Sequence, residues 1–298
     1  MHTVEISHIS KAFGKTQAVA DVSFHVERGE IFGLLGPNGA GKTTTIRIML
    51  DIFKPDAGEV SVLGGPMTEA KKNRIGYMPE ERGLYQDIAL ERCLMYLATL
   101  KGLTPAEAHR RLTRWLERFD LAAHRAKKVK ELSKGMQQKA QIIAAVIHEP
   151  ELLIVDEPFA ALDPVNTQMV KDLMRELRDR GTAIIMSTHQ MHQVEELCDR
   201  ILLINKGRDV LYGNLDNVRR QYSGHAVVVR AAGELPSLPG VVSATRQNSE
   251  VRLNLADGVA PQDVLKALVQ AGCTLEKFEI AVPSLDEIFI RVVGKGGE

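Results

Sequence analysis

The sequence of 298 residues predicts an α/β protein: a largely parallel sheet with crossover helices, an antiparallel β subdomain ahead of it, a helical insertion within it, and a small α+β domain after it. Three observations lead there. Two continuous apolar runs, Leu152 to Val155 and Ala183 to Met186, flank a helical pattern through Val165, Met169, Leu173 and Leu177, as buried parallel strands joined by a crossover do. The first stretch of the chain alternates instead. Between about Tyr85 and Glu149 the spacing is helical throughout.

In chain order, Val4 and Ile6, then Val22, Phe24 and Val26, share one face with the period of half-buried antiparallel strands. From Ile31 the pattern changes: Ile31, Phe32, Leu34 and Leu35 run into Gly36-Pro37-Asn38-Gly39-Ala40-Gly41-Lys42-Thr43-Thr44, after which Ile46, Ile48, Met49 and Ile52 mark a helix. Strand, glycine loop and helix follow one another. The insertion, over about 85–149, carries Leu112, Trp115, Leu116 and Phe119 on one helical stripe. Past Asn205-Lys206-Gly207 and a short strand at Val210-Leu211, the polar segment Asp216 to Ser223 is the expected boundary, dividing the chain into domains 1–222 and 223–298. In the second, His225 to Arg230, Glu250 to Leu255 and Leu275 to Ile280 read as strands, and Pro261 to Gln270 and Ser284 to Val292 as helices.

Composition narrows the function. Lys plus Arg and Asp plus Glu both total 38, so net charge supplies no long-range attraction to a phosphate backbone, and no nucleic acid is expected as partner. The cysteines, Cys93, Cys198 and Cys273, are scattered without a metal-ligand spacing and read as reduced thiols. Every apolar run is broken by charge before the ~18 residues of a membrane span. Work at a membrane therefore requires another chain to cross it.

Gly36 to Thr43 fits G-x-x-x-x-G-K-[ST], whose small residues let successive backbone N–H groups close around phosphate oxygens at a helix N-terminus. This is the mark of a P-loop NTPase core. Lys42 is expected on the β and γ phosphates of ATP, and Thr43 on Mg²⁺. Asp156 and Glu157 follow the apolar run Leu152 to Val155, at the carboxyl end of a buried strand, where open α/β sheets place their sites. Asp156 is the second expected Mg²⁺ residue, and Glu157 the one to orient the attacking water, since phosphoryl transfer depends on positioning and charge stabilisation. Alone, such a pair would read as a helix cap.

Ser133 stands where an N-cap belongs, ahead of the helix Met136, Ala140, Ile143, Ala144 and Ile147. With the phosphate loop, Leu132-Ser133-Lys134-Gly135-Met136-Gln137-Gln138, Leu152 to Pro158, Ala161-Leu162-Asp163-Pro164 and His189 in order, residues 1–222 resemble the nucleotide-binding domain of the ATP-binding cassette (ABC) family. The resemblance implies an ATPase working as a head-to-tail pair, expected to be a homodimer. Ser133 and Gly135 of one copy would grip the γ phosphate held by Lys42 of the other, Asp163 would link the two sites, and His189 would contact the γ phosphate and help arrange Glu157. Phe13 matches the position where the family stacks an aromatic ring on adenine, with core packing as the other reading.

The chain departs from the family at two places. Glu80, in Ile75-Gly76-Tyr77-Met78-Pro79-Glu80-Glu81-Arg82, stands where a glutamine is usual; it is expected to keep a ligand role toward Mg²⁺, with Arg82 as a balancing cation. Lys134 stands where many family members have glycine and Met136 next to the signature's conventional glutamine, while Ser133 and Gly135 are kept. These variants and the tail Val282-Pro283-Ser284-Leu285-Asp286-Glu287-Ile288-Phe289 resemble an exporter branch whose multispanning permease subunits are separate chains, placing this subunit at the cytoplasmic face of the cell membrane. The small domain there either has its own role or buttresses the dimer. Leu84, Tyr85, Ile88 and Leu90 are expected either to receive a permease helix or to pack in the insertion's core. A soluble family member acting on ribosomes or DNA is the alternative function.

Overall fold

The computed structural model describes residues 2–81, 83–223, 225–233, 235–247, 249–256 and 258–294. The chain forms two compact units, Met1–Gly213 and Asn214–Glu298.

In the first unit, β1 (Val4–Phe13) and β2 (Thr16–Val26) lead into β3 (Ile31–Leu35), α1 (Lys42–Met49), β4 (Ala57–Val62), α2 (Glu69–Lys72) and β5 (Ile75–Met78). The helical insertion follows as α3 (Leu90–Leu100), α4 (Pro105–Arg118) and α5 (Lys134–Val146). The chain then returns to the sheet through β6 (Leu152–Asp156), α6 (Pro164–Asp179), β7 (Ala183–Thr188), α7 (Met191–Leu197), β8 (Arg200–Asn205) and β9 (Arg208–Asn214).

A six-stranded sheet has the order β5-β6-β7-β3-β8-β9, with parallel pairing from β5 across to β8. Every residue of β3, β6 and β7 is buried, the physical reason their sequences are apolar up to Asp156, Ser187 and Thr188, which end β6 and β7 on the side of the site. The antiparallel sheet β2-β1-β4 shares a core with it: Val4, Ile6 and Val26 lie in one buried cluster with α1's Ile46 and Met49 and with Leu34 and Ile154. Phe24 of β2 stacks on Phe32 of β3, ring centroids 5.1 Å apart. Burying two such rings is worth roughly 1.5–3 kcal/mol each, so this contact fixes where the antiparallel sheet sits.

The insertion is helical as expected, closing on Leu90, Leu94, Leu112, Leu116 and Phe119, all buried. Trp115 lies at its rim under the guanidinium of Arg118, 5.3 Å from the ring centroid. Among the described residues no helix is long and apolar enough to cross a membrane.

The second unit opens with α8 (Leu215–Gln221), then β10 (Ala226–Ala232), β11 (Val241–Gln247), β12 (Glu250–Leu255), α9 (Pro261–Gln270), β13 (Thr274–Ile280) and α10 (Leu285–Gly294). The sheet order is β11-β12-β10-β13, antiparallel throughout. Val264 and Leu268 of α9 bury one face against Val227, Val229, Leu253 and Leu255. Glu250 on the same sheet pairs with Arg230 at 2.6 Å and with Lys277 at 3.2 Å.

Two expectations need correction. Asp216 to Ser223 is no polar linker: Asn214 caps α8 by accepting from the Asn217 N–H, Leu215 and Val218 are buried, and the compact units divide after Gly213 rather than after Tyr222. The helix has only those two buried positions, too few to show a period among its charges. β11 also went unread, because it is an edge strand with Val242 71% exposed and no apolar alternation.

Candidate nucleotide site

The glycine loop lies at the carboxyl end of β3, between β7 and β8, where chain order along the sheet reverses. Gly36 (φ 147°) and Gly41 (φ 112°) are left-handed positions with no room for a side chain: a Cβ would come 2.2 Å from the Ile204 carbonyl oxygen at the first and 2.4 Å from that of Ala18 at the second. The loop is thus clamped between two backbone segments. The turn joining β8 to β9 braces it further, since the Gly207 N–H donates to the Ala40 carbonyl at 2.8 Å and the Gly207 carbonyl accepts from Ala20 at 2.7 Å.

α1 begins at Lys42 with Gly41 as N-cap, no capping side chain and no acidic residue in its first turn. Its terminal amides and their partial positive charge are free for an anion. Lys42 is buried, and its Nζ donates to the carbonyls of Gly36 (2.7 Å) and Pro37 (3.2 Å). Burial lowers its pKa, while the carboxylates of Glu157, Asp156 and Glu80 act the other way. A cation half stripped of water and facing three carboxylates is poised for phosphate.

Thr43 Oγ1 donates to Asp156 Oδ2 at 3.2 Å. Asp156 is 2% exposed, and burial is the main cause that raises its pKa. Glu157 follows with φ 50°, a left-handed conformation that costs a non-glycine residue ~1–2 kcal/mol. Its surroundings hold it there. The Glu157 N–H donates to the Ser187 carbonyl (2.9 Å); Oε2 accepts from Thr188 Oγ1 (2.9 Å); Oε1 accepts from the His189 N–H (2.9 Å) and lies 2.6 Å from His189 Nδ1. Against a carboxylate, Nδ1 is the protonated ring nitrogen.

Asn38, Gly39, Ala40, Gly41, Lys42, Thr43 and Thr44 line one cleft of about 330 Å³ with Ala18, Glu80, Asp156 and Glu157. His189 joins through Glu157. Phe13, Ser133, Gly135 and Asp163 are not among the lining residues. Phe13 is 45% exposed at the end of β1, its ring edge-on to Phe53 at 5.2 Å, so core packing does not account for it. Exposed Ser133 caps α5, accepting from the Met136 N–H at 3.2 Å, and exposed Asp163 caps α6, accepting from Asn166 N–H at 2.9 Å. Hydrogen bonds from Asn166 hold the Asp163 carboxyl below its usual range. Arg82 lies outside the described residues.

Two residues of the site were not read from the sequence. Thr188 holds Glu157, and Gln138 donates through Nε2 to the carbonyls of Glu157 and Pro158, both at 3.1 Å. Thr188 closes β7 directly before His189, which is the signal that could have found it. One further group of potential metal ligands, His2, His25 and Glu27, lies outside the cleft. There Tyr212 Oη accepts from Arg200 and from the His25 N–H, so its own proton goes to His25 Nδ1, 3.1 Å away. His25 then presents an N–H, not a lone pair, toward Glu27.

Comparison with known proteins agrees with this geometry. The family model described as ABC transporter matches residues 19–160, and the one described as ATP-binding protein DrrA1-3-like, C-terminal domain matches residues 213–293. The chain is 41% identical to the uncharacterized ABC transporter ATP-binding protein YhaQ of Bacillus subtilis (strain 168), over 97% of this chain and 98% of that one. It is 32% identical to the linearmycin resistance ATP-binding protein LnrL of the same organism, over 98% of both. A solved ATP-binding subunit of an ABC transporter superposes with a TM-score of 0.69 at 36% identity, covering 74% of this chain and 93% of that one. A phosphate loop clamped at a sheet's switch point, with a buried aspartate and an oriented glutamate facing it, thus belongs here to an ATP-binding subunit of the ABC transporter family, an ATPase whose turnover is coupled to transport.

Proposed function

We propose that the chain energises an exporter: two identical copies close head to tail over ATP, and hydrolysis parts them, driving separate multispanning permease subunits from the cytoplasmic face of the membrane. The observation that carries the pairing is the division of the site's residues. Lys42, Asp156, Glu157 and Glu80 gather in one cleft, while the capped end of α5, with Ser133 exposed and Gly135 half-buried, lies outside it. A helix N-terminus with no acidic residue in its first turn offers amides and partial positive charge to an anion, here the γ phosphate held by the partner copy. Val165, 77% exposed in the first turn of α6 beside Asp163, supports the same buried face. Export is supported by the DrrA-like C-terminal domain and by the resistance named for LnrL. No observation favours action on ribosomes or DNA.

Mg²⁺ fits the residues present. Thr43 Oγ1 and Asp156 Oδ2 are hard oxygen donors side by side, and the buried Asp156 carboxylate has no cation bonded to it among the described contacts. Thr43, Asp156 and Glu80 would hold the ion, which neutralises charge on the phosphates. Within the chain, Lys42 draws charge from the β and γ phosphates, Glu157 orients water, and Thr188 and His189 keep Glu157 aimed. His189 reaches the γ phosphate and Phe13 stacks on adenine. Asp163 links the sites across the pair. Glu80→Ala is expected to slow transport-coupled hydrolysis about tenfold; an unchanged rate would remove Glu80 from the site.

The permease has a receiving surface. Met78, Pro79, Leu84, Leu97 and Leu100 line an apolar groove directly after β5, with Tyr85 and Tyr96 exposed in the same part of the insertion. Of the four residues proposed for this role, Leu84 lines the groove, Tyr85 is exposed near it, Leu90 is buried in the insertion's core, and half-buried Ile88 is not among the groove's lining residues. The test of the whole reading is dilution: specific ATPase activity should fall as the chain is diluted below its dimerisation range. Constant activity from strictly monomeric protein would overturn it.

A further inference from the structure

α5 touches the loop that follows β6 at successive points along one side. A Cβ on Gly135 would come 3.0 Å from the Ala161 carbonyl oxygen; Gln138 Nε2 bonds the carbonyls of Glu157 and Pro158, each at 3.1 Å; and Lys139, 7% exposed, donates to Asn166 Oδ1 at 3.3 Å. Positions three and four apart share a helix face, so α5 lies along residues 157–166 as a rod along a strap. Asn166 in turn donates its N–H to Asp163. The strap holds two left-handed non-glycine residues, Glu157 (φ 50°) and Ala161 (φ 60°), and its first turn closes when the Glu157 carbonyl accepts from Ala160 at 3.2 Å. Gln138 grips that same carbonyl. Because two carbonyls can be met only by the amide –NH₂, the orientation of the Gln138 side chain is determined.

We infer that Gln138 is a positioning residue that ties the Ser133 end of α5 to Glu157 of the same chain. The inference rests on the paired reading above, in which Ser133 and Gly135 engage the partner's nucleotide. A helix advances 1.5 Å per residue and is stiff over so short a run, so a shift of the Ser133 end carries Gln138 with it. Gln138 then moves the peptide on which Glu157 is mounted. Engagement of one nucleotide and alignment of the water-orienting carboxylate over the other become a single mechanical event. Gln138 touches no nucleotide in this arrangement and acts only through the backbone of Glu157.

The test is Gln138→Met in the full-length chain with MgATP; it keeps length and apolar bulk and removes the donor. We expect kcat to fall about tenfold, in the range a sub-ångström displacement of a positioned group costs. MgATP affinity, and ATP-driven dimerisation in a Glu157→Gln background, should stay within about twofold, because Lys42 and the Ser133 cap are untouched. An unchanged kcat would overturn the inference. So would a parallel loss of turnover and dimerisation, which would place the role of Gln138 at the grip on the partner. Gln138→Leu, also without a donor, is read the same way if the Met variant does not fold. Failure of the paired reading is visible separately, as wild-type protein that does not dimerise with ATP; the expected drop in kcat at constant affinity is independent of that result.

Discussion

The phosphate cleft and the Ser133–Asp163 surface are built in opposite ways. In the cleft, Lys42, Asp156 and Glu157 are all buried, and each has its polar atoms committed within the chain. At the other surface Ser133 and Asp163 are exposed and each caps a helix, and at the Ser133 end the N–H groups of Lys134 and Gly135 have no partner among the described contacts. Preorganisation is thus spent on the groups that must hold charge away from water, and the surface left open is the one that a second copy can complete. Substitutions on the two sides should separate: the cleft should set the affinity of the single chain for ATP, and the open surface should set association and what depends on it.

The largest effect belongs to Glu157→Gln. Turnover should drop on the order of a thousandfold with ATP binding retained, and a stable dimer should accumulate on size-exclusion chromatography with light scattering. Normal hydrolysis by this variant would remove Glu157 from its role. Lys42→Ala comes next: losing a charge-assisted contact to phosphate should weaken ATP affinity roughly ten- to a hundredfold by calorimetry, without preventing folding. Ser133→Ala sharpens the contrast from the open side. It should leave the affinity of the single chain for ATP unchanged, raise the concentration needed for dimerisation about tenfold, and cost ~1 kcal/mol of stability through the lost cap. Equal damage to single-chain affinity would erase the distinction between the two surfaces. The smallest effect is that of Phe13→Ala, about three- to tenfold in affinity, with the melting temperature unmoved because the ring is 45% exposed.

The cleft was legible in the sequence because its residues sit on short stretches whose backbone dictates their chemistry. Gly36 to Thr44 is one loop and helix start, and Asp156 and Glu157 are one strand end, so local order specifies three-dimensional proximity once the strands are recognised. Glu80 was named only from the resemblance, as the residue standing where the family has glutamine; it follows β5, which pairs with β6, and lines the cleft. Gln138 and Thr188 were not assigned roles, since each acts on Glu157 from an element distant in the chain and nothing local marks a side chain that bonds a remote peptide. β4 was likewise not read: besides exposed Ala57 its apolar residues are Val60 and Val62, and the strand is specified by pairing with β1. The boundary at residue 213 was obscured for a related reason, α8 having its apolar positions at Leu215 and Val218 alone.

The brace between the β8–β9 turn and the phosphate loop makes Gly207 a sensor of occupancy without contact. Its N–H is bonded to the Ala40 carbonyl, and its φ of 77° together with a Cβ clearance of only 2.9 Å to the Ala18 carbonyl oxygen bars other residues. When nucleotide stiffens residues 36–44, exchange of that one amide with deuterated solvent must slow in step. A sequence change at a hairpin that does not itself line the cleft then reads out as altered nucleotide handling, and a family alignment would file it under loops.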